Sequence, residues 1–243
     1  MNNSVRADRR FLSRIQFPVT ICVLLYGEHF ELCRRFLHSL YTKTPVDAFR
    51  LRAGLNAVCD ATRALVSETA EEYGNLTLID SPQNIYKCPM MRRLFTEPPI
   101  ETEWTLWFDD DSFPARADWL QSLALSIEAS PENAMWGLPM LMEPDPPLIE
   151  FTKVAPWFRG KELTRNSRTN AINYQFIVGG YWAIKTEVIR HLDWPDRRLL
   201  HFEDDYLLGE ALRQNDFRMG HCESGVVIDS AVRRCPPGTP HVR

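Results

Sequence analysis

The stretch Trp104-Thr-Leu-Trp-Phe-Asp109-Asp110-Asp111-Ser-Phe113 decides the fold. An aromatic-rich apolar run of strand length ends abruptly in three carboxylates. Such a run suits a strand buried within a sheet, and in an open α/β sheet ligands bind just beyond the carboxyl ends of the strands. Side chains alternate along an extended chain, so Asp109 and Asp111 can face one side while Asp110 faces the other. A carboxylate pair so placed suits a hard divalent cation, which prefers oxygen ligands and can bridge to phosphate. The same residues would also serve as a solvated acidic turn, and the run alone does not choose between the two.

Outward from this strand, the pattern is one of alternation. Val19–Leu25 reads as a buried first strand, followed by the loop Tyr26-Gly27-Glu28-His29 and a helix carrying Leu32, Phe36, Leu37 and Leu40 at helical spacing. Phe49–Leu55 alternates as a half-buried strand would and is followed by Asn56. A helix capped by Asp60 or Thr62 runs to about Tyr73 and stops at Gly74-Asn75. Leu76–Ile79 is a third strand, leading into Asp80-Ser-Pro-Gln-Asn84. After the acidic triplet, Asp118 is placed to cap a helix bearing Trp119, Leu123 and Ile127. Ala134–Met140 is a strand whose Gly and Pro point to an edge or a bend. Residues 151–175 are irregular and carry Lys153, Arg159, Lys161, Arg165 and Arg168, the composition of a lid over a donor or acceptor. Phe176–Ile184 resumes strand character around Gly179-Gly180, a short helix comes next with Thr186 as its cap, and Gly225–Ile228 closes the core.

Strands alternating with helices predict an α/β fold: a mostly parallel, Rossmann-like sheet with helices on both faces. We expect a single domain over residues 18–230, with a polar lead-in at 1–17 and an irregular tail at 231–243. The stiff connector Glu143–Pro147 does not divide it, because the segment beyond it is too short in regular elements to fold alone. The first βα loop lacks Gly-x-Gly-x-x-Gly and no P-loop pattern occurs, which argues against dinucleotide oxidoreductases and P-loop kinases.

Composition is that of an ordinary soluble chain, 44% apolar and 25% charged among 243 residues. A net charge of −4 gives no global attraction for nucleic acid, and the basic residues near the two ends read as solvated. Six cysteines, none in a C-x-x-C pair, favour a reducing compartment over a disulfide framework. The Arg-rich start is too polar for a secretory signal, and no apolar run approaches the ~20 residues a membrane span needs. The expectation is a cytoplasmic protein.

A second acidic cluster, Glu203-Asp204-Asp205, stands at the expected start of a helix. Carboxylates in a first turn are favoured by the helix dipole, by ~0.3–1 kcal/mol each, which accounts for one or two of them without function. Facing one cleft, the two clusters would divide the work. The Asp109/Asp111 side would hold a metal against a phosphate leaving group, and the Glu203–Asp205 side would supply a general base to an attacking hydroxyl. Trp182, on the Gly-Gly strand, would present its ring either to a sugar face or to the core.

These motifs, in this order, resemble those of family 2 type nucleotide-sugar glycosyltransferases of the GT-A fold. The likeness spans roughly residues 18–230. It rests on Tyr26 after the opening strand, Asn56 after the second, Asn84 with Lys87, the D-x-D of Asp109 and Asp111, Gly179-Gly180, and Glu203-Asp204 opening a helix. The resemblance implies a UDP-sugar or similar nucleoside-diphosphate sugar as donor, Mn2+ or Mg2+ as cofactor, and inversion at the anomeric carbon by direct displacement. It places Tyr26, Asn56 and Glu28 around the nucleobase, and Asn84, with Lys87, Arg92 or Arg93, at the base or the diphosphate. Asp109 would contact ribose or metal, with Asp110 beside it, and Asp111 would ligate metal. Gly179 and Gly180 would let the backbone pass close to the sugar or acceptor, and Asp204 would be the base, with Glu203 and Asp205 as neighbours. The chain departs from the family pattern in having Leu24-Leu25 before Tyr26, Asn56 where an Asp is common, and Asp229 near the place of a metal-binding His. Asp229 is therefore the expected third ligand. A nucleotidyltransferase or a sugar-binding module without turnover would share the α/β core, but the first usually carries a Gly-rich basic loop after its first strand, unlike Tyr26–His29.

Overall fold

A computed structural model describes residues 18–201 and 203–229. The lead-in and the whole of the tail lie outside the described residues. Nine strands occur among the described residues: β1 (Val19–Tyr26), β2 (Phe49–Asn56), β3 (Leu76–Ser81), β4 (Trp104–Asp109), β5 (Ser112–Pro114), β6 (Asn133–Met142), β7 (Tyr174–Lys185), β8 (Arg218–His221) and β9 (Val226–Ile228). The helices are α1 (Phe30–Lys43), α2 (Asp60–Tyr73), α3 (Lys87–Thr96), α4 (Trp119–Ala129), α5 (Pro146–Val154), α6 (Thr186–Leu192) and α7 (Asp204–Gln214).

Seven strands form one sheet in the order β3-β2-β1-β4-β7-β6-β8, and β5 pairs with β9 in a separate small one. Within the large sheet only β7 runs antiparallel to its neighbours. Parallel strands need crossovers, and helices supply them, so both faces are covered and the strand sequences read as nearly continuous apolar runs. The two cores follow from simple alternation. On β1, Ile21, Val23 and Leu25 join Phe36 of α1, Val66 of α2 and Trp119 of α4. Cys22 and Leu24 face the other way, toward Leu94 of α3 and Leu207 of α7, together with Trp107 and Trp182. Among the described residues no helix is long and apolar enough to cross a membrane.

Several expectations shift. β6 is not an edge strand along its whole length, since β8 covers its first half; its register does break between Gly137 and Pro139. Gly225–Ile228 does not extend the main sheet. Val226–Ile228 pairs antiparallel with the segment after the acidic triplet, too short a run to build a core layer but enough to fix that segment. Neither Asp60 nor Thr62 caps α2, because Cys59 occupies the N-cap position, and Thr186 is the first residue of α6 rather than its cap. The segment read as a lid is partly helical, as α5 reaches Val154. Two of its basic groups are engaged away from the carboxyl edge of the sheet. Arg159 Nε donates to Asn215 Oδ1 at 3.0 Å and Lys161 pairs with Asp216, both beyond the carboxyl-terminal end of α7.

α7 lies directly on β7, and Gly209 is the point of contact. A Cβ there would run into the carbonyl oxygen of Gln175 and the side chain of Phe176. Gly209→Ala is therefore expected to destabilise the fold by about 1–3 kcal/mol, the usual cost of overpacking. Urea unfolding of variant and parent measures it; an unchanged midpoint would show that α7 can slide on the sheet.

Candidate active site

The register of the sheet sets Tyr26 beside Asn56 and Leu24 beside Asp109, so the carboxyl ends of β1, β2 and β4 form one rim. Asp109 closes β4. Its Oδ1 accepts from Trp107 Nε1 at 3.0 Å, a contact that follows from i, i+2 residues sharing a strand face. The Lys87 ammonium reaches the same carboxylate at 3.3 Å and, on its other side, Asp204 Oδ2 at 3.2 Å. All three side chains are nearly withdrawn from solvent, with 12%, 13% and 7% of Lys87, Asp109 and Asp204 exposed. Burial alone would lower the affinity of Lys87 for its proton. Asp109 and Asp204 outweigh that and hold it well above the usual lysine range, so it is a cation at any physiological pH.

Two asparagines place this lysine. Asn56 Nδ2 donates to Asn84 Oδ1 at 3.0 Å, while Asn56 Oδ1 accepts from Ile85 N at 2.9 Å. Asn84 Oδ1 also accepts from Tyr86 N at 2.8 Å. These amides clamp the turn that precedes α3 and so act on the site through Lys87. Tyr86 has φ +69° and ψ 171°, a backbone region costly for a side-chain-bearing residue. Glu203, just before Asp204, likewise has φ +61°. Each partner of the buried ion pair on a helix is thus preceded by a strained residue.

Asp205 is held differently. Its Oδ2 accepts from Gly179 N at 3.2 Å and its Oδ1 from Tyr206 N at 2.9 Å. Burial, then the neighbouring Asp204 charge, push its carboxyl up to about 6, against the pull of Lys87 and the two backbone N–H groups. The glycines of β7 make this packing possible. A Cβ on Gly179 would lie 3.3 Å from Asp205 Oδ2, and one on Gly180 would lie 2.7 Å from Ile228 Cγ2 and 3.0 Å from Ser112 Oγ. The close approach these glycines permit is to Asp205 and to the small sheet.

The other two acids of the triplet lie in the turn that follows β4. Asp110 is buried, and its charge adds to the burial that pushes the Cys33 thiol of α1 up to about 12. Asp111 Oδ1 accepts from Ser112 Oγ at 3.2 Å, and its carbonyl accepts from Asp229 N at 3.0 Å. Asp229 does come to the triplet, but its carboxylate is bound by Arg35 Nη1 at 2.8 Å, and Arg35 lies over the Phe113 ring at 4.3 Å. This corrects its reading as a third metal ligand: it is drawn into an ion pair with Arg35 and does not converge with Asp109 and Asp111. Among the described residues no three His, Cys, Asp or Glu side chains converge as a metal-holding group.

Two further assignments fall. Trp182 is buried, stacked on Trp107 with ring centroids 6.0 Å apart, and belongs to the core. Arg92 points to the turn after α6, donating to Asp193 O at 2.9 Å and Pro195 O at 2.7 Å, which leaves it unsuited to a diphosphate. Tyr26 stays on the rim with His29 edge-on at 5.1 Å, and Glu28 is exposed beside it. Sequence reasoning missed Trp107 and Arg35. The first could have been found from its i−2 relation to Asp109; the second had no local signal.

No protein-family model and no curated protein matches this sequence. Solved structures do match its shape, and what they share with it is the GT-A fold. The mannosyltransferase PcManGT from Pyrobaculum calidifontis, in complex with GDP-Man and Mn2+, is 18% identical, with TM-score 0.57 over 84% of this chain and 56% of that one. S. aureus TarS in complex with UDP-GlcNAc is 14% identical, with TM-score 0.54 over 84% and 56%. GalNAc-T7 with UDP, GalNAc and Mn2+ is 11% identical, with TM-score 0.62 over 86% and 42%. The match therefore spans only 42% to 56% of the length of these proteins.

The raised carboxyl of Asp205 has a consequence for stability. An acid whose folded value lies above its unfolded one favours the native state most below the unfolded value, and that contribution is lost as pH rises through the folded value. Between about pH 4 and 7, a rise from 3.8 to about 6 is worth at most about 3 kcal/mol. Relative to Asp205→Asn, the native protein should lose stability as pH rises across this range. Urea unfolding of both at a series of pH values tests it, and parallel curves would contradict the burial argument.

Proposed function

We propose that this chain transfers a sugar from a nucleoside-diphosphate sugar, with UDP as the expected carrier, to an acceptor hydroxyl. The observation that carries the reading is the Lys87 ammonium shared by Asp109 and Asp204. It draws two acidic clusters far apart in sequence to one point at the carboxyl edge of a GT-A sheet. That edge is where α/β folds bind ligands, and nucleotide sugars accompany the matching structures.

In this reading Tyr26 lines the nucleobase side, with Glu28 beside it, while Asn56 and Asn84 set the turn that delivers Lys87. Asp109 faces the ribose or the diphosphate, and Asp111 faces a metal. Asp109 and Asp111 offer hard oxygen donors, which fit Mn2+ or Mg2+; with Asp229 taken by Arg35, phosphate oxygens and water would complete the shell. Bound there, the cation would neutralise charge on the departing diphosphate. Asp204 is the general base. The acceptor oxygen forms a bond to the anomeric carbon, the bond from that carbon to the diphosphate oxygen breaks, and the hydroxyl proton passes to Asp204. Inversion follows from a single displacement. Asp205, with both oxygens on backbone N–H groups, ties α7 to β7 and keeps Asp204 in place; Glu203 supplies the strained turn before it.

Asp111→Asn is expected to remove the Mn2+-dependent part of UDP binding, read by calorimetry with and without Mn2+, while the melting temperature holds. Equal Mn2+ dependence in variant and parent would take Asp111 out of the metal site. Asp204→Asn should still bind donor but lose about 10²–10⁴-fold in turnover, the usual contribution of a general base. Labelled nucleotide sugar offered to water and to an acceptor panel measures it, and full turnover would place the base elsewhere.

A further inference from the structure

We infer that Lys87 is an exchangeable latch: the diphosphate of an incoming donor draws its ammonium away from Asp204, so that the base is released only once donor is bound. The inference rests on the sugar-transfer reading above and adds an order of events to it.

Lys87 holds its two carboxylates at 3.2 to 3.4 Å. Charge-assisted N–H···O contacts favour about 2.7–2.9 Å, so the ammonium is shared between anions and saturated by neither. Two carboxylates against one ammonium already leave the point with a net negative charge. A diphosphate adds more in a place almost closed to water, where charges act strongly on one another. The ammonium must then redistribute.

The geometry says which bond yields. Asp109 contacts Lys87 through both oxygens and is also bonded to Trp107 Nε1. Asp204 meets Lys87 through Oδ2, and it begins α7, whose eleven residues aim their amino-terminal dipole at it. That dipole can compensate Asp204 after the ammonium has left. Asp109 ends a strand, and strands carry little dipole of their own. Lys87 enters through the strained Tyr86, a turn clamped by Asn56 and Asn84, and its long stem can swing while its backbone stays fixed. A carboxylate oxygen occupied by an ammonium is a poor partner for an acceptor hydroxyl. Releasing it when donor binds makes the donor the first substrate to load.

Competition between Asp204 and the diphosphate for one ammonium has a sign that a merely structural ion pair lacks. Affinity for UDP and GDP is measured by calorimetry in EDTA, and again with Mn2+, for the parent chain, D204N, K87M and K87M/D204N, each checked by circular dichroism. D204N is expected to bind diphosphate about tenfold more tightly, and K87M at least about tenfold more weakly. In the K87M background the gain from D204N should vanish. A D204N that binds no tighter, or that gains equally with and without Lys87, overturns the latch, the latter showing only a general loss of negative charge. If K87M does not fold, uridine replaces it as the control. The D204N gain must then appear with UDP and be absent with uridine, and a gain with both overturns the latch. Failure of the parent chain to bind either diphosphate would sink the sugar-transfer reading as well as the latch, whereas binding without the sign change sinks the latch alone.

Discussion

One buried ammonium between two carboxylates constrains this molecule more than any other contact. Removing an ion from water costs several kcal/mol even after the protein relaxes, and stranding one member of a buried pair costs about 3–5 kcal/mol. Lys87, Asp109 and Asp204 therefore depend on one another for compensation. They come from the first turn of α3, the end of β4 and the first turn of α7. Their mutual need fixes where each element must start or stop. It also accounts for Tyr86 and Glu203, whose positive-φ backbones turn the chain sharply enough to aim Lys87 and Asp204 inward. Strain of about 1–3 kcal/mol per residue persists only where the surroundings over-determine it, and here the ion pair does so.

Around that point the fold is rigid on one side and polar on the other. The antiparallel β7 brings Gly179 and Gly180 past the site, where the first admits Asp205 and the second admits Ile228 and Ser112. The small β5–β9 sheet then pins the backbone after the triplet, and Arg35 locks it from α1 through Asp229 and the Asp111 carbonyl. Asp111 thus sits on a segment held at both ends, while its carboxylate accepts from the Ser112 hydroxyl. Such support settles the orientation of the Asp111 carboxylate from within the protein.

Local physics was legible in the sequence and long-range pairing was not. The buried runs at Val19 and Trp104 depend on neighbours along the chain and came out as read, whereas Phe49–Asn56, read as half-buried, is buried at all but Arg50. α3 escaped because its start follows a positive-φ tyrosine and includes Pro89, features that look like a loop, although proline is tolerated in a first helical turn. Trp182 and Arg92 carry the right chemistry for a sugar and a phosphate, but the Trp107 ring and the Asp193–Pro195 turn claimed them first. Asp229 was located correctly near the triplet and then found with a guanidinium that nothing near it in sequence announces. The Lys87 bridge is the extreme case, since its partners lie 22 and, by residue number, more than a hundred positions further along the chain. Composition holds no trace of such a meeting.

The adjacent acids of α7 show why the site cannot be read residue by residue. Asp204 and Asp205 are neighbours on one helical turn, yet one is compensated by a side-chain cation and the other by two backbone N–H groups. A cation on a flexible stem can leave; a backbone N–H within a packed strand or helix cannot. In the proposed latch the carboxylate with the removable partner would change its state, while the carboxylate with the fixed partners would hold the helix still. Neighbouring groups whose environments differ in this way divide labour between them. Here the difference lies between a side-chain cation at Asp204 and backbone donors at Asp205.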